Sequence, residues 1–231
     1  MGLLKSEMEL EPYPIPQGLG GNSAVVGKGR SQQSVSTSIT AFRAPKFRQI
    51  RTALVETDGP TQVLNFVMFP DPRYNLPIFG ADLVSLPGVH LVCIDLQPAH
   101  GAQALDEKTN ALLREAKRRH LEGLPWGGDL PEAAQKYFSQ HCIWSKLGPT
   151  EAVEEKALDA MMDYLREYLV LVGKAEPEVE GGPVVAEITA GQADYCNYRR
   201  VNDPARGMLT RFYGAEWTEA AIEGILFDFK P

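Results

Sequence analysis

The sequence predicts an α+β fold in which one antiparallel sheet is packed by helices, and three observations carry that prediction. Between about residue 40 and Pro98 the chain is a succession of short segments rich in β-branched and aromatic residues, each bounded by turn residues. The gaps between these segments are too short for crossover helices, so neighbouring strands must run antiparallel. After Pro98 the apolar residues recur at spacings of three and four, the period of helices with one buried face. Strands and helices are therefore segregated along the chain rather than alternating.

The 231 residues, 44% of them hydrophobic, suffice for one full core. Residues 1–39 read as an irregular lead-in packed on the domain, because 11–39 is rich in Pro, Gly and Ser, and residues 40–231 read as a single domain. The expected strands are TSITAFRAP, FRQIRTALVET, TQVLNFVMFP, IFGADLVSL and VHLVCIDLQ. Helical periodicity follows in EKTNALLREAKRRHLEGL, PEAAQKYFSQ and EAVEEKALDAMMDYLREYLVLVGKA. The loop EPEVEGGP then separates VVAEITAGQADYCNYRRVN, after which DPARGMLTRFYG and WTEAAIEGILFDF close the chain. Asp203-Pro204 has the form of an N-cap followed by Pro at the first helical position, so a helix is expected to begin there.

Charge and cysteines narrow the function. A net charge of −7 argues against nucleic acid as the main partner, and no apolar run approaches the ~20 residues of a membrane span. Cys93, Cys142 and Cys196 lie far apart, with no CxxC pair and no Cys/His ligand spacing, so no bound metal or iron–sulfur site is expected. GLGGN falls in the lead-in rather than between a strand and a helix, which disfavours a dinucleotide cofactor. Any electrons this protein uses must come from elsewhere.

Two aspartates, Asp82 and Asp95, stand inside the otherwise apolar run LPIFGADLVSLPGVHLVCIDLQP. Leu86-Pro87-Gly88-Val89 is a type II turn by composition; as a two-residue hairpin loop it pairs Ser85 with His90, Val84 with Leu91 and Asp82 with Cys93. Strand alternation then puts Asp82, Val84, Leu91, Cys93 and Asp95 on one face. Pairing Phe69 with Ile78 across the preceding connection sets Asn65 opposite Asp82. An Asn can serve a carboxyl in either protonation state, and a buried carboxyl near another has a raised pKa suited to proton donation near neutral pH. Gly80 and Ala81 leave room for a ligand beside Asp82. Asp95, at a strand end, either belongs to the same site or hydrogen-bonds loop backbone; Asp203 reads as a helix cap, its carboxylate bonded to backbone N–H groups.

These residues resemble a known family. VLNFVMFPDPRYNLPIFGADLVSLPGVHLVCIDLQP and NDPARGMLTRFYGAEWTEAAIEGILFDF are similar to the ferredoxin-dependent bilin reductases, from about residue 11 to the end, and LPWGGDLPEAAQKYF and YLREYL resemble the phycoerythrobilin-forming branch most. The resemblance implies an α/β/α sandwich with a central antiparallel sheet and an open-chain tetrapyrrole held between sheet and C-terminal helices. It implies no bound cofactor: reduced [2Fe–2S] ferredoxin supplies single electrons, and protein carboxyls protonate bilin radicals. The family's two catalytic aspartates fall on Asp82 and Asp203, and Asn65 matches the phycoerythrobilin branch. The implied reaction is two-electron reduction of the A-ring diene of 15,16-dihydrobiliverdin to phycoerythrobilin. Reduction of biliverdin in the manner of phytochromobilin synthases, and a bilin carrier without activity, are the alternatives.

An acidic protein needs local basic patches for a dianionic bilin and an acidic ferredoxin. Arg199 and Arg206, flanking Asp203, suit the bilin's propionates, with Asp95 as a further substrate contact. Arg43, Lys46, Arg48 and Arg51 form a run with no acid inside it and are the expected ferredoxin contacts. A monomer is expected, in the plastid stroma of an alga or the cytoplasm of a cyanobacterium or phage host.

Overall fold

The computed structural model describes residues 2–98, 107–149 and 153–229. Its organising feature is the hairpin at Pro87-Gly88, where Gly88 takes φ +84°, as the third residue of a type II turn requires. That turn joins β6 (Ile78–Leu86) to β7 (Val89–Gln97), pairing Ser85 with His90 and Asp82 with Cys93. Before them run α1 (Gly2–Glu7), β1 (Glu11–Pro12), β2 (Gly21–Val26), β3 (Gln33–Ala44), β4 (Phe47–Thr57) and β5 (Gln62–Pro70). After them come α2 (Glu107–His120), α3 (Glu132–Gln135), β8 (Ile143–Leu147), α4 (Val153–Lys174), α5 (Pro183–Asn202), α6 (Arg206–Tyr213) and α7 (Ala215–Ala221), the last continuing as a π-helical turn, Ile222–Leu226.

The sheet is antiparallel throughout, in the order β1-β3-β4-β5-β6-β7-β8, with β2 also on β3. Alternation along each strand gives it two faces. Ile50, Phe66, Phe79 and Ile94 pack against Leu113 of α2 and Ala160, Tyr164 and Tyr168 of α4. The two buried tyrosines place their hydroxyls on carbonyls, Tyr164 on His141 at 2.5 Å and Tyr168 on Pro77 at 2.6 Å, so neither polar tip is stranded. On the opposite face Val67, Phe69 and Ile78 meet Ile188, Tyr195 and Ile225 of the C-terminal helices. The architecture is the expected α/β/α sandwich.

The C-terminal tail is tied to both neighbouring layers through its main chain. Gln49 and Arg51 of β4 donate to the carbonyls of Ile225 (3.1 Å) and Leu226 (3.0 Å). From α5, Arg200 donates to the carbonyls of Phe227 (2.7 Å) and Phe229 (2.8 Å).

Local differences from the sequence reading have physical reasons. The lead-in is more regular than its composition predicts: β2 pairs along β3 from Gly21↔Ser38 to Val26↔Gln33. It is an edge strand with one face open, so nothing in it demands a hydrophobic pattern. The helix expected over PEAAQKYFSQ shrinks to α3, and the chain then enters β8, whose Ile143, Ser145 and Leu147 turn inward. Asp203 does not head a helix. It is the residue that ends α5, with ψ 119°, and α6 starts only at Arg206. Of the helix expected over 151–175, positions 151 and 152 lie outside the described residues.

Candidate active site

A cavity of about 730 Å³ opens between the sheet and the C-terminal helices, within the ~300–1,000 Å³ usual for small-molecule sites. Its floor is the sheet face carrying Ala53, Val63, Val84, Leu91 and Cys93; Tyr195, Tyr198, Met208, Leu209 and Trp217 form the roof. The 129–138 segment closes one side with Leu130, Pro131 and Phe138. Its surface is mostly apolar, and of its polar groups Asn65, Asp82, Arg199 and Asp203 lie together.

Asn65 on β5 and Asp82 on β6 are register partners in the floor, and the Asn65 Nδ2 donates to Asp82 Oδ1. Behind Asn65 lies Arg51 of β4, 1% exposed, whose guanidinium donates to Asn65 Oδ1. Burial pushes the Asp82 carboxyl above the usual carboxylate range and the Asp203 charge adds to this, while Arg199, the Asn65 bond and Arg51 pull it back. A carboxyl balanced in this way can hold a proton at a pH where a surface aspartate would have lost it.

Asp203 lies in the roof, between α5 and α6, with its side chain 6% exposed. The Ala205 N–H donates to its Oδ1 at 2.7 Å, and Arg199, one turn earlier on α5, donates to Oδ2 at 3.4 Å. Both readings of the sequence meet in this side chain, which bonds local backbone and lines the cavity. Burial works against the Arg199 charge, but Tyr195, Asp203 and Asp82 together strengthen its hold on the proton. The Phe227 ring is shared by two cations, Arg199 and Arg51, each 5.3 Å from its centroid.

Asn65, Asp82, Asp203 and Arg199 are thus brought together as the sequence reading expects. Asp95 is not among them, although it shares their sheet face. Ser139 covers it, donating to its two oxygens from N (2.7 Å) and Oγ (2.5 Å), so the loop-backbone alternative holds. Burial raises its pKa to about 6. Arg206 does not line the cavity; it is engaged by Glu219 and the Arg200 carbonyl.

The run from Arg43 to Arg51 is not a continuous patch, because side chains along a strand project to opposite faces. Arg51 is buried, so it cannot contact a docking protein. Arg48 is sandwiched between the Phe69 and Phe229 rings, 4.3 Å from each centroid, and held by Gln192 at 2.9 Å. Lys46 donates to the Val172 and Ala175 carbonyls at 2.8 and 2.6 Å, capping the end of α4. Arg43 alone of the four is exposed, over the Tyr13 ring.

The sequence reading passed over Gln97, Trp144, Tyr195, Tyr198 and Arg211, all of which line the cavity. Two signals were present. Gln97 continues the alternation of Cys93 and Asp95, and Tyr195, Tyr198 and Asn202 stand at −4, −1 and +3 from Arg199, on one helical face. Among the described residues no group of three or more His, Cys, Asp or Glu side chains is arranged to hold a metal.

A mostly apolar slot with one carboxyl in its floor and another in its roof is a site shaped for a small molecule rather than for a metal. The chain belongs to the ferredoxin-dependent bilin reductase family, which it matches over residues 2–228. It is 47% identical to a phycoerythrobilin:ferredoxin oxidoreductase of Nostoc punctiforme, over 98% of this chain and 89% of that one. A protein of the same name from Gloeobacter violaceus is 46% identical, over 99% and 91%. Among solved structures, phytochromobilin synthase from tomato in complex with biliverdin superposes with a TM-score of 0.84 at 25% identity, covering 97% of this chain and 78% of that one. The protein is an oxidoreductase that takes its electrons from ferredoxin.

Proposed function

We propose that this bilin reductase converts 15,16-dihydrobiliverdin to phycoerythrobilin by reducing the A-ring diene with two electrons and two protons. Reduced [2Fe–2S] ferredoxin supplies the electrons one at a time, no cofactor is bound, and the protein works as a monomer. Asp82 protonates the reduced bilin from the sheet side and Asp203 from the helix side, with Asn65 holding Asp82 and Arg199 holding Asp203. The observation that carries this reading is the placement of the two carboxyls on opposite walls of one cavity, close enough for the charge of Asp203 to raise Asp82. The phycoerythrobilin-forming relatives support the choice of substrate. Arg211, the exposed basic residue of the cavity lining, suits a propionate at the mouth. The fitting compartment is one that holds reduced ferredoxin: the cytoplasm in a cyanobacterium, like these relatives, or the plastid stroma in an alga.

The test is anaerobic turnover with reduced ferredoxin, offering biliverdin and 15,16-dihydrobiliverdin separately and identifying the products chromatographically. Phycoerythrobilin from dihydrobiliverdin alone is expected. Phytochromobilin from biliverdin would move the assignment to that reaction, and binding of both bilins without reduction would leave a carrier. Asp82→Asn should bind bilin normally while turnover falls about 10²-fold, the scale of a lost general acid.

A further inference from the structure

Arg51 is a buried charge to which the reaction as described assigns nothing. Among the described residues it meets no carboxylate directly. Its Nε donates to the Leu226 carbonyl at 3.0 Å, Nη1 to Asn65 Oδ1, and Nη2 is buried without a partner. A guanidinium has five N–H donors and no acceptor, so its contact with Asn65 admits one polarity of the amide. The amide oxygen must face Arg51, which turns the amide nitrogen toward Asp82, where it donates to Oδ1. Oδ1 is then an acceptor whether Asp82 is ionised or not, and a proton held by Asp82 sits on Oδ2. With Arg51 gone, the amide is free to turn over and offer its oxygen to protonated Asp82. The proton would then be held on Oδ1, directed at the protein rather than at the substrate.

We propose that Arg51 is a positioning residue for the reduction: by holding the Asn65 amide oxygen it fixes the Asp82 proton on the carboxyl oxygen free to face the bilin. This rests on the reading of Asp82 as a proton donor. The charged and titratable groups around Asp82 are Arg51 of β4, beyond Asn65 on the same sheet face, Cys93 of β7 beside it, and Tyr195, Arg199 and Asp203 above it from the α5 side. Arg51 is one of the cations that pull Asp82 down, so its removal also shifts the pH at which the donor is lost.

The experiment compares Arg51→Met, Arg51→Lys and Asn65→Leu with the wild type, measuring kcat, KM for dihydrobiliverdin and the pH profile of kcat with reduced ferredoxin. Thermal melts and bilin difference spectra establish folding and binding. Arg51→Met should lower kcat about tenfold through misdirection of the donor, leave KM within about twofold, and move the alkaline limb of kcat upward. Arg51→Lys keeps a charged donor for the amide oxygen and should restore kcat to within about threefold of wild type. In an Asn65→Leu background there is no amide to orient, so Arg51→Met should change kcat by less than about twofold.

A full tenfold loss by Arg51→Met on top of Asn65→Leu would overturn the proposal, as would Arg51→Lys turning over as slowly as Arg51→Met. An unmoved alkaline limb and unchanged kcat in folded Arg51→Met would do the same. Should Arg51→Met not fold, Arg51→Lys and Asn65→Leu decide: near-normal turnover in the first and a loss in the second are required. Asp82→Asn, run alongside, separates the two ideas, since normal turnover there would remove Asp82 as donor regardless of Arg51.

Discussion

Replacing Asp203 with Asn separates two tasks that one side chain combines. Its Oδ1 accepts the Ala205 N–H at 2.7 Å, a bond that an Asn amide oxygen makes equally well. Its Oδ2 faces Arg199 at 3.4 Å, and in the variant an NH2 group meets that guanidinium instead. Breaking a fully buried ion pair costs about 3–5 kcal/mol. Here the Arg199 side chain is 16% exposed and keeps Asp82 and Tyr195 nearby, so a loss of about 1–2 kcal/mol is expected. For a chain of this size that lowers Tm by about 2–4 °C per kcal/mol. Turnover should fall far more, about 10²-fold, if the carboxyl is a proton donor. Because the Asp203 charge helps keep Asp82 protonated, its removal should also shift the alkaline limb of kcat to lower pH. The assay is ferredoxin-driven reduction of dihydrobiliverdin by Asp203→Asn, with Asp203→Ala beside it. If the Asn variant turns over within threefold of wild type and only the Ala variant fails, Asp203 serves only to hold the Ala205 N–H and the two-donor reasoning is wrong.

Two further outcomes follow from neighbouring residues. Burial raises Asp95 from 3.8 to about 6, so the folded protein binds this proton more tightly than the unfolded chain does. Its contribution to stability, at most about 3 kcal/mol, is full below about pH 4 and lost as pH rises through about 6; denaturant melts across that window should show the decline, and Asp95→Asn should flatten it while leaving turnover within twofold. Arg211→Ala should raise KM for the bilin about three- to tenfold with kcat unchanged, since an exposed charge-assisted contact at the mouth contributes about 1 kcal/mol to binding and nothing to the reacting carbons; an unchanged KM would take Arg211 out of the site.

The part of the site made by adjacent strands was legible because short hairpins leave little freedom. Once Pro87-Gly88 sets one turn, the pairing of Asp82 with Cys93 is arithmetic, and Asn65 opposite Asp82 follows from the simplest register of the preceding connection. One more step along the same sheet would have found Arg51. It pairs with Val67, on the face that carries Asn65 two residues away, and so points under the cavity rather than at solvent. As one member of a basic run it looks like neighbours whose side chains project elsewhere. Asp95 illustrates a different limit: alternation fixes its face but says nothing of the Ser139 loop that comes to cover it 44 residues later. Asp203 and Asp82 could be joined only through the family likeness, because no local pattern tells which helix lies over which strand. β8 was hidden by length, five residues between helical stretches, with only three of them facing inward.

The anchoring of the C-terminal tail determines what the cavity's clearance depends on. Gln49, Arg51 and Arg200 grip the carbonyls of Ile225, Leu226, Phe227 and Phe229, while Gln49 and Arg48 also reach the Asp228 carboxylate. The spacing between sheet and C-terminal helices is therefore set by the course of the backbone together with one carboxylate, Asp228, and two rings, Phe227 and Phe229. Substrate preference can drift through the lining while the frame that holds the slot open stays constant. What the slot admits can thus change at the cavity wall without rebuilding the layers that hold it open.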